Sequence, residues 1–73
     1  MKPLETILKK ARKESGHTLR SLEVVTGIKY SRISRLENRQ ERVWKGDIER
    51  LGKVLDFPED GVVDENGMAK LAE

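Results

Sequence analysis

The sequence contains no cysteine, one histidine, two prolines and three aromatic residues among its 73 positions. The missing cysteines exclude disulfide staples and thiolate metal sites. His17 cannot build a zinc site alone. No apolar run approaches the roughly 18 residues that a membrane helix needs. Residues 1–15 are amphipathic and carry charges throughout, which does not fit a signal peptide, so the expected compartment is the cytosol. The chain also lacks a glycine-rich phosphate loop, a nucleophile with a base in company, and a metal-ligand cluster. We therefore expect no enzyme, no cofactor and no metal, with His17 a loop residue beside Gly16.

One domain of this length buries only about 60% of the surface its unfolded chain exposes. Well-packed helices, helped by a dimer partner, must supply the stability. Charge is unevenly spread. Residues 1–55 hold 14 Lys/Arg against 7 Asp/Glu, whereas residues 56–73 hold Lys70 against six acidic side chains. A basic body before an acidic tail suggests a polyanionic partner, although lysine and arginine also merely solubilise helix faces.

Apolar spacing predicts four helices. The first covers residues 3–15, with Pro3 in its first turn, a stripe of Leu4, Leu8 and Ala11 beside Ile7, and Gly16 ending it. Thr18 then caps a short helix over residues 18–25, its buried side marked by Leu22 and Val25 and its end by Gly27. Ile28 sits in the turn. A third helix spans residues 29–37, with Ile33 and Leu36 on one face. After a basic loop over residues 38–45, a fourth covers residues 46–55 along Ile48, Leu51 and Leu55, and Pro58 stops any continuation. Beyond it, Val62-Val63, Asn66-Gly67 and Met68 to Leu71 fit a small hairpin, since Asn-Gly is a strong turn signal. A frayed acidic tail fits equally. We divide the chain into residues 1–57, a helical domain, and 58–73, the tail or hairpin.

The stretch from Thr18 to Asn38 carries the chemistry. Two short helices meet at a turn whose first position needs positive φ, which Gly27 supplies. Leu22, Ile28, Ile33 and Leu36 would close a small core and set the helices at a steep angle. The outer face of the second then presents Lys29, Tyr30, Ser31, Arg32 and Arg35. Such a helix fits the major groove, where each base pair shows a distinct donor and acceptor pattern.

This pattern resembles the helix-turn-helix of the phage repressor and Cro family over about residues 4–57. The resemblance rests on Arg12 before Gly16, Thr18 as cap, Leu22 with Gly27, the run Ile33-Ser34-Arg35-Leu36-Glu37, and the stripe Ile48, Leu51, Leu55 and Phe57. It implies an all-α, lambda-repressor-like domain of four to five helices that binds double-stranded DNA. It also implies base-edge contacts by Lys29, Tyr30, Ser31 and Arg35, and phosphate contacts by Thr18, Arg32, Asn38 and Gln40, with Arg39 and Arg42 adding cations. Arg35 suits a bidentate fork on guanine O6 and N7; the alternative is a surface ion pair with Glu41. Tyr30 either meets a thymine methyl or packs beside Ile28. Arg12 and Glu37 are similar to a pair that joins the first and third helices. Trp44 reads as a lid over the fourth helix or a dimer contact.

Three positions depart from the family pattern. Leu19 replaces a phosphate-clamping glutamine. Glu23 replaces a small residue and is expected to pair with Arg20 or Arg32. Arg39 replaces the glycine after the third helix. One recognition helix reads few base pairs, so a homodimer on an inverted repeat, acting as a repressor, is the leading expectation. The second is an antitoxin whose acidic segment from residue 56 onward binds a basic toxin.

Overall fold

The computed structural model describes residues 5–72, and the reading of Pro3 and Leu4 lies outside them. Four α-helices occur in order: α1 (Ile7–Glu14), α2 (Leu19–Thr26), α3 (Tyr30–Glu37) and α4 (Lys45–Gly52), followed by one 3₁₀ turn, Glu59–Gly61. One apolar cluster draws on all four helices and the segment after them. Leu8, Leu22, Ile33, Leu36, Leu51 and Val62 are each less than 2% exposed. Ala11, Ile28, Val43, Leu55 and Ala69 complete it. The all-α fold read from the sequence is the fold observed, with no strand among the described residues.

The first helix begins later than its apolar stripe suggests. Thr6 is extended (φ −74°, ψ 157°) and its hydroxyl accepts from Lys9 N, so it is the N-cap. The same hydroxyl donates to Glu37 O at 2.8 Å, fastening the start of α1 to the end of α3. Thr6 also bridges antiparallel to Leu71, and the chain ends are tied by Ile7 N to Lys70 O and Ala72 N to Glu5 O. Thr6, held extended by that pairing, marks the start of the helix at Ile7.

Val25 was expected on the buried side of α2, but it is 53% exposed and its neighbour Val24 83%. The eight residues of α2 pack by one narrow face, and Leu22 fills it. The fourth helix is shorter than residues 46–55 and begins one residue earlier. Lys53 closes it in αR conformation, and Leu55 reaches the core from the following turn through Leu55 N to Leu51 O, 2.7 Å.

The C-terminal segment folds back as a small hairpin turn with isolated bridges in place of a ladder. Val63 bridges Ala69, Lys70 N donates to Val62 O, and Gly67 takes φ +81° at the corner. Asp64 Oδ1 accepts from Asn66 N and Met68 N, which organises the turn from inside. That φ is what favours glycine here; a Cβ would also lie 2.9 Å from Arg42 Nε, which a shift of that flexible side chain would relieve. Val62 and Ala69, both 0% exposed, join the core that the four helices build.

Candidate nucleic-acid interface

The α2–turn–α3 unit is built by local hydrogen bonds. Thr18 Oγ1 accepts from Ser21 N and Ser21 Oγ accepts from Thr18 N, a reciprocal cap for α2. Gly27 leaves the helix at φ +79°, in the left-handed region. Thr26 Oγ1 donates to Leu22 O and accepts from Ile28 N, stiffening the corner. Lys29 makes no side-chain cap for α3. The cap comes from α2 instead: Glu23 Oε1 accepts from Tyr30 N at 2.8 Å. Glu23 thus serves the backbone of α3, where the sequence had suggested Arg20 or Arg32 as partners. A carboxylate in place of a small residue there also complements the positive end of α3.

Ile33 and Leu36 anchor the inner face of α3, leaving Lys29, Tyr30, Ser31 and Arg35 exposed on the other side. The Arg20 guanidinium lies over the Tyr30 ring, 4.5 Å from its centroid, an exposed cation–π contact between α2 and α3. Arg35 donates Nε to Glu41 Oε1 at 3.0 Å. The ion pair weighed as the alternative for Arg35 is therefore formed, and it leaves the Nη groups without a hydrogen bond among the described residues. Lys29, Arg35 and Arg50 border a recess of about 290 Å³ whose floor includes Asp47.

Arg32 lies deeper than its neighbours. Nη1 and Nη2 donate to Asp47 Oδ1 and Oδ2 at 2.6 and 2.8 Å, and Nε donates to Glu41 Oε2 at 2.6 Å. Asp47, a residue that sequence reasoning passed over, also accepts from Trp44 N at 3.0 Å, so it caps α4 while gripping α3. Its position three residues after Trp44, in the first turn of an expected helix, was the available signal. Burial opposes the charged form of Asp47. The bonds from Arg32 and Trp44 N and the charges of Arg32 and Arg50 outweigh it and hold the carboxyl below its ordinary range. Arg35 first, then Arg32, likewise depress Glu41 against a desolvation that opposes them.

A depressed folded-state value contributes stability above the unfolded carboxyl's pKa, about 3.9. That contribution is lost as pH falls through the folded value. Asp47→Asn should therefore destabilise at pH 7 by about 2–3 kcal/mol, through its charge-assisted bonds. The gap between wild-type and variant urea midpoints should narrow as the pH falls from 7 toward 3. A constant gap would assign the effect to lost shape, not charge.

The remaining positions lie beyond the C-terminus of α3. Asn38 Nδ2 donates to Ser34 O, closing the helix end. Arg39 occupies the left-handed region at φ 59° and donates to Asp64 Oδ2 at 2.8 Å, which ties the loop to the C-terminal turn. Gln40 is exposed. The Arg42 guanidinium stacks 4.8 Å from the Trp44 ring centre. Trp44 is 57% exposed at the N-cap of α4, so it does not act as a lid over that helix. Arg12 grips Glu37 side-on, Nε to Oε2 at 2.7 Å and Nη2 to Oε1 at 3.2 Å, joining α1 to α3. Its Nη1 donates to His17 O.

Two short helices around a glycine corner, the second with a polar outer face, define a helix-turn-helix DNA-binding protein. Comparison with known families agrees: the family described as "Helix-turn-helix domain" matches residues 6–64, and the chain belongs to that family. No significant match was found among curated proteins or solved structures. No helix among the described residues is long and apolar enough to cross a membrane.

Proposed function

We propose that this chain is a cytosolic, sequence-specific transcriptional repressor that binds double-stranded DNA as a homodimer on an inverted repeat. The observation that carries the reading is the division of α3: Ile33 and Leu36 are buried while Tyr30, Ser31 and Arg35 stand exposed on one outward surface. That surface enters the major groove. Arg35 reads guanine, Tyr30 and Ser31 contact neighbouring base edges, and Lys29 meets a base edge or the adjoining phosphate. Thr18, Asn38, Gln40 and Arg42 flank them toward the backbone. Arg32 and Arg39 are committed to carboxylates, so we assign them to holding the interface and not to primary phosphate contact. The homodimer follows from arithmetic, because one helix reads too few base pairs for useful discrimination.

The antitoxin alternative needs the acidic segment to be available to a partner. Val62 and Ala69 anchor that segment in the chain's own core, so a partner would meet it as a folded surface presenting Asp56, Glu59, Asp60 and Glu65.

Fluorescence anisotropy with a duplex selected from a random pool and a scrambled duplex tests the proposal over a range of salt. Wild type should prefer the selected duplex with steep salt dependence. Arg35→Ala should reduce that preference by about 1–3 kcal/mol, with little change on the scrambled duplex. Equal and weak binding to both duplexes would refute sequence-specific recognition.

A further inference from the structure

Glu41 is the only carboxylate among the described residues that bonds two arginines of the recognition helix, Arg32 through Oε2 and Arg35 through Oε1. It is not alone in space. A relay runs from Trp44 N to Asp47, from Asp47 to both Nη groups of Arg32, from Arg32 Nε to Glu41, and from Glu41 to Arg35 Nε. Each link fixes the next, so the body of the protein sets where Glu41 stands. Arg32 and Arg35 are three apart on α3 and share a face, which lets one carboxylate span them.

The geometry points to Glu41 as a positioning residue that determines specificity: it holds Arg35 by Nε, leaving both Nη groups for a base edge, and keeps a negative charge beside α3. This inference rests on the regulator reading above. Two consequences follow. A guanidinium anchored at Nε loses less freedom when its outer edge meets O6 and N7 of a guanine, so the correct site gains from a geometry already made. A phosphate approaching Arg35 out of register meets the Glu41 carboxylate as well, so non-specific binding is held down. Removing the carboxylate should therefore move the two kinds of DNA in opposite directions, which loss of a merely structural ion pair would not do.

The test measures full-length wild type, Glu41→Gln, Glu41→Asp and Glu49→Gln by fluorescence anisotropy on the selected and scrambled duplexes, after thermal melts confirm folding. Glu49, exposed on α4, makes the same change of net charge away from the relay. Glu41→Gln should tighten binding to the scrambled duplex about threefold, weaken the selected one, and lower the ratio about tenfold. Glu49→Gln should leave the ratio unchanged. Glu41→Asp keeps the charge but falls one methylene short, so it should lower the ratio with little change on scrambled DNA. In an Arg35→Ala background, Glu41→Gln should no longer alter the ratio. A Glu41→Gln ratio within about twofold of wild type, or a ratio that Glu49→Gln lowers equally, overturns the inference while the regulator reading stands. A wild type that fails to discriminate overturns the regulator reading itself, and the role of Glu41 with it.

Discussion

Replacing Glu37 by alanine should cost about 3–5 kcal/mol of stability, because it strands the guanidinium of Arg12 in a mostly buried position. The two side chains are 3% and 13% exposed for Glu37 and Arg12, and the pair is side-on with two hydrogen bonds. After the substitution, Arg12 keeps only His17 O as a partner. For a domain of this size, that loss corresponds to a fall in Tm of about 12–40 °C. Against a total stability of roughly 5–15 kcal/mol for a domain, that is a substantial fraction. Differential scanning calorimetry of Glu37→Ala measures it directly. The double variant Arg12→Met with Glu37→Leu is the informative control, since removing both charges and keeping volume should recover most of the loss. A single variant that melts within about 4 °C of wild type would show the pair to be dispensable. Because the bridge joins α1 to α3, the same change should weaken DNA binding at temperatures where the variant remains folded.

The C-terminal turn provides the second large effect. Val62 is fully buried with Ala69 in the cluster that includes Leu51 and Leu55. Val62→Asp places a carboxylate there without a partner and should cost about 4–5 kcal/mol or more, enough to abolish a cooperative thermal transition. Val62→Ala removes only apolar volume and should cost about 2–3 kcal/mol. A chain ending at residue 57 should likewise lose cooperative unfolding by circular dichroism, since it deletes both buried residues and the backbone partners of Glu5 and Ile7. If residues 1–57 instead melt cooperatively near the wild-type Tm, the segment after Pro58 is an appendage, and an antitoxin role for it becomes the better reading.

Several parts of this arrangement were legible in the sequence because each depends on neighbours in the chain. Thr18 caps a helix by reaching three residues ahead to Ser21 N, and Gly27 and Gly67 adopt positive φ at corners that few other residues tolerate. Leu22, Ile33, Leu36 and Leu51 repeat at helical spacing, and all are buried. Such contacts span three or four residues, so composition and order suffice to anticipate them. The exposed outer face of α3 follows from the same period, since positions opposite the apolar stripe have nowhere else to point.

Contacts across the fold followed no such rule. Helical spacing placed Val25 inside, yet it is half-exposed, because only the packing of α2 against its neighbours decides which flank is covered. The apolar stripe carried α1 back to residue 3, whereas pairing of the chain ends stops it at Thr6. Arg32 looks like its neighbour Arg35 in sequence, a cation on a polar helix face. Tertiary structure separates them by setting Asp47, fifteen residues away, against one and leaving the Nη groups of the other toward solvent. Residue order was enough to identify a helix-turn-helix and the outward face of its second helix, because periodicity and turn chemistry are short-range. Which charges are held in the relay and which stand exposed on the outer face of α3 depends instead on side chains that the fold brings within bonding distance from distant parts of the chain.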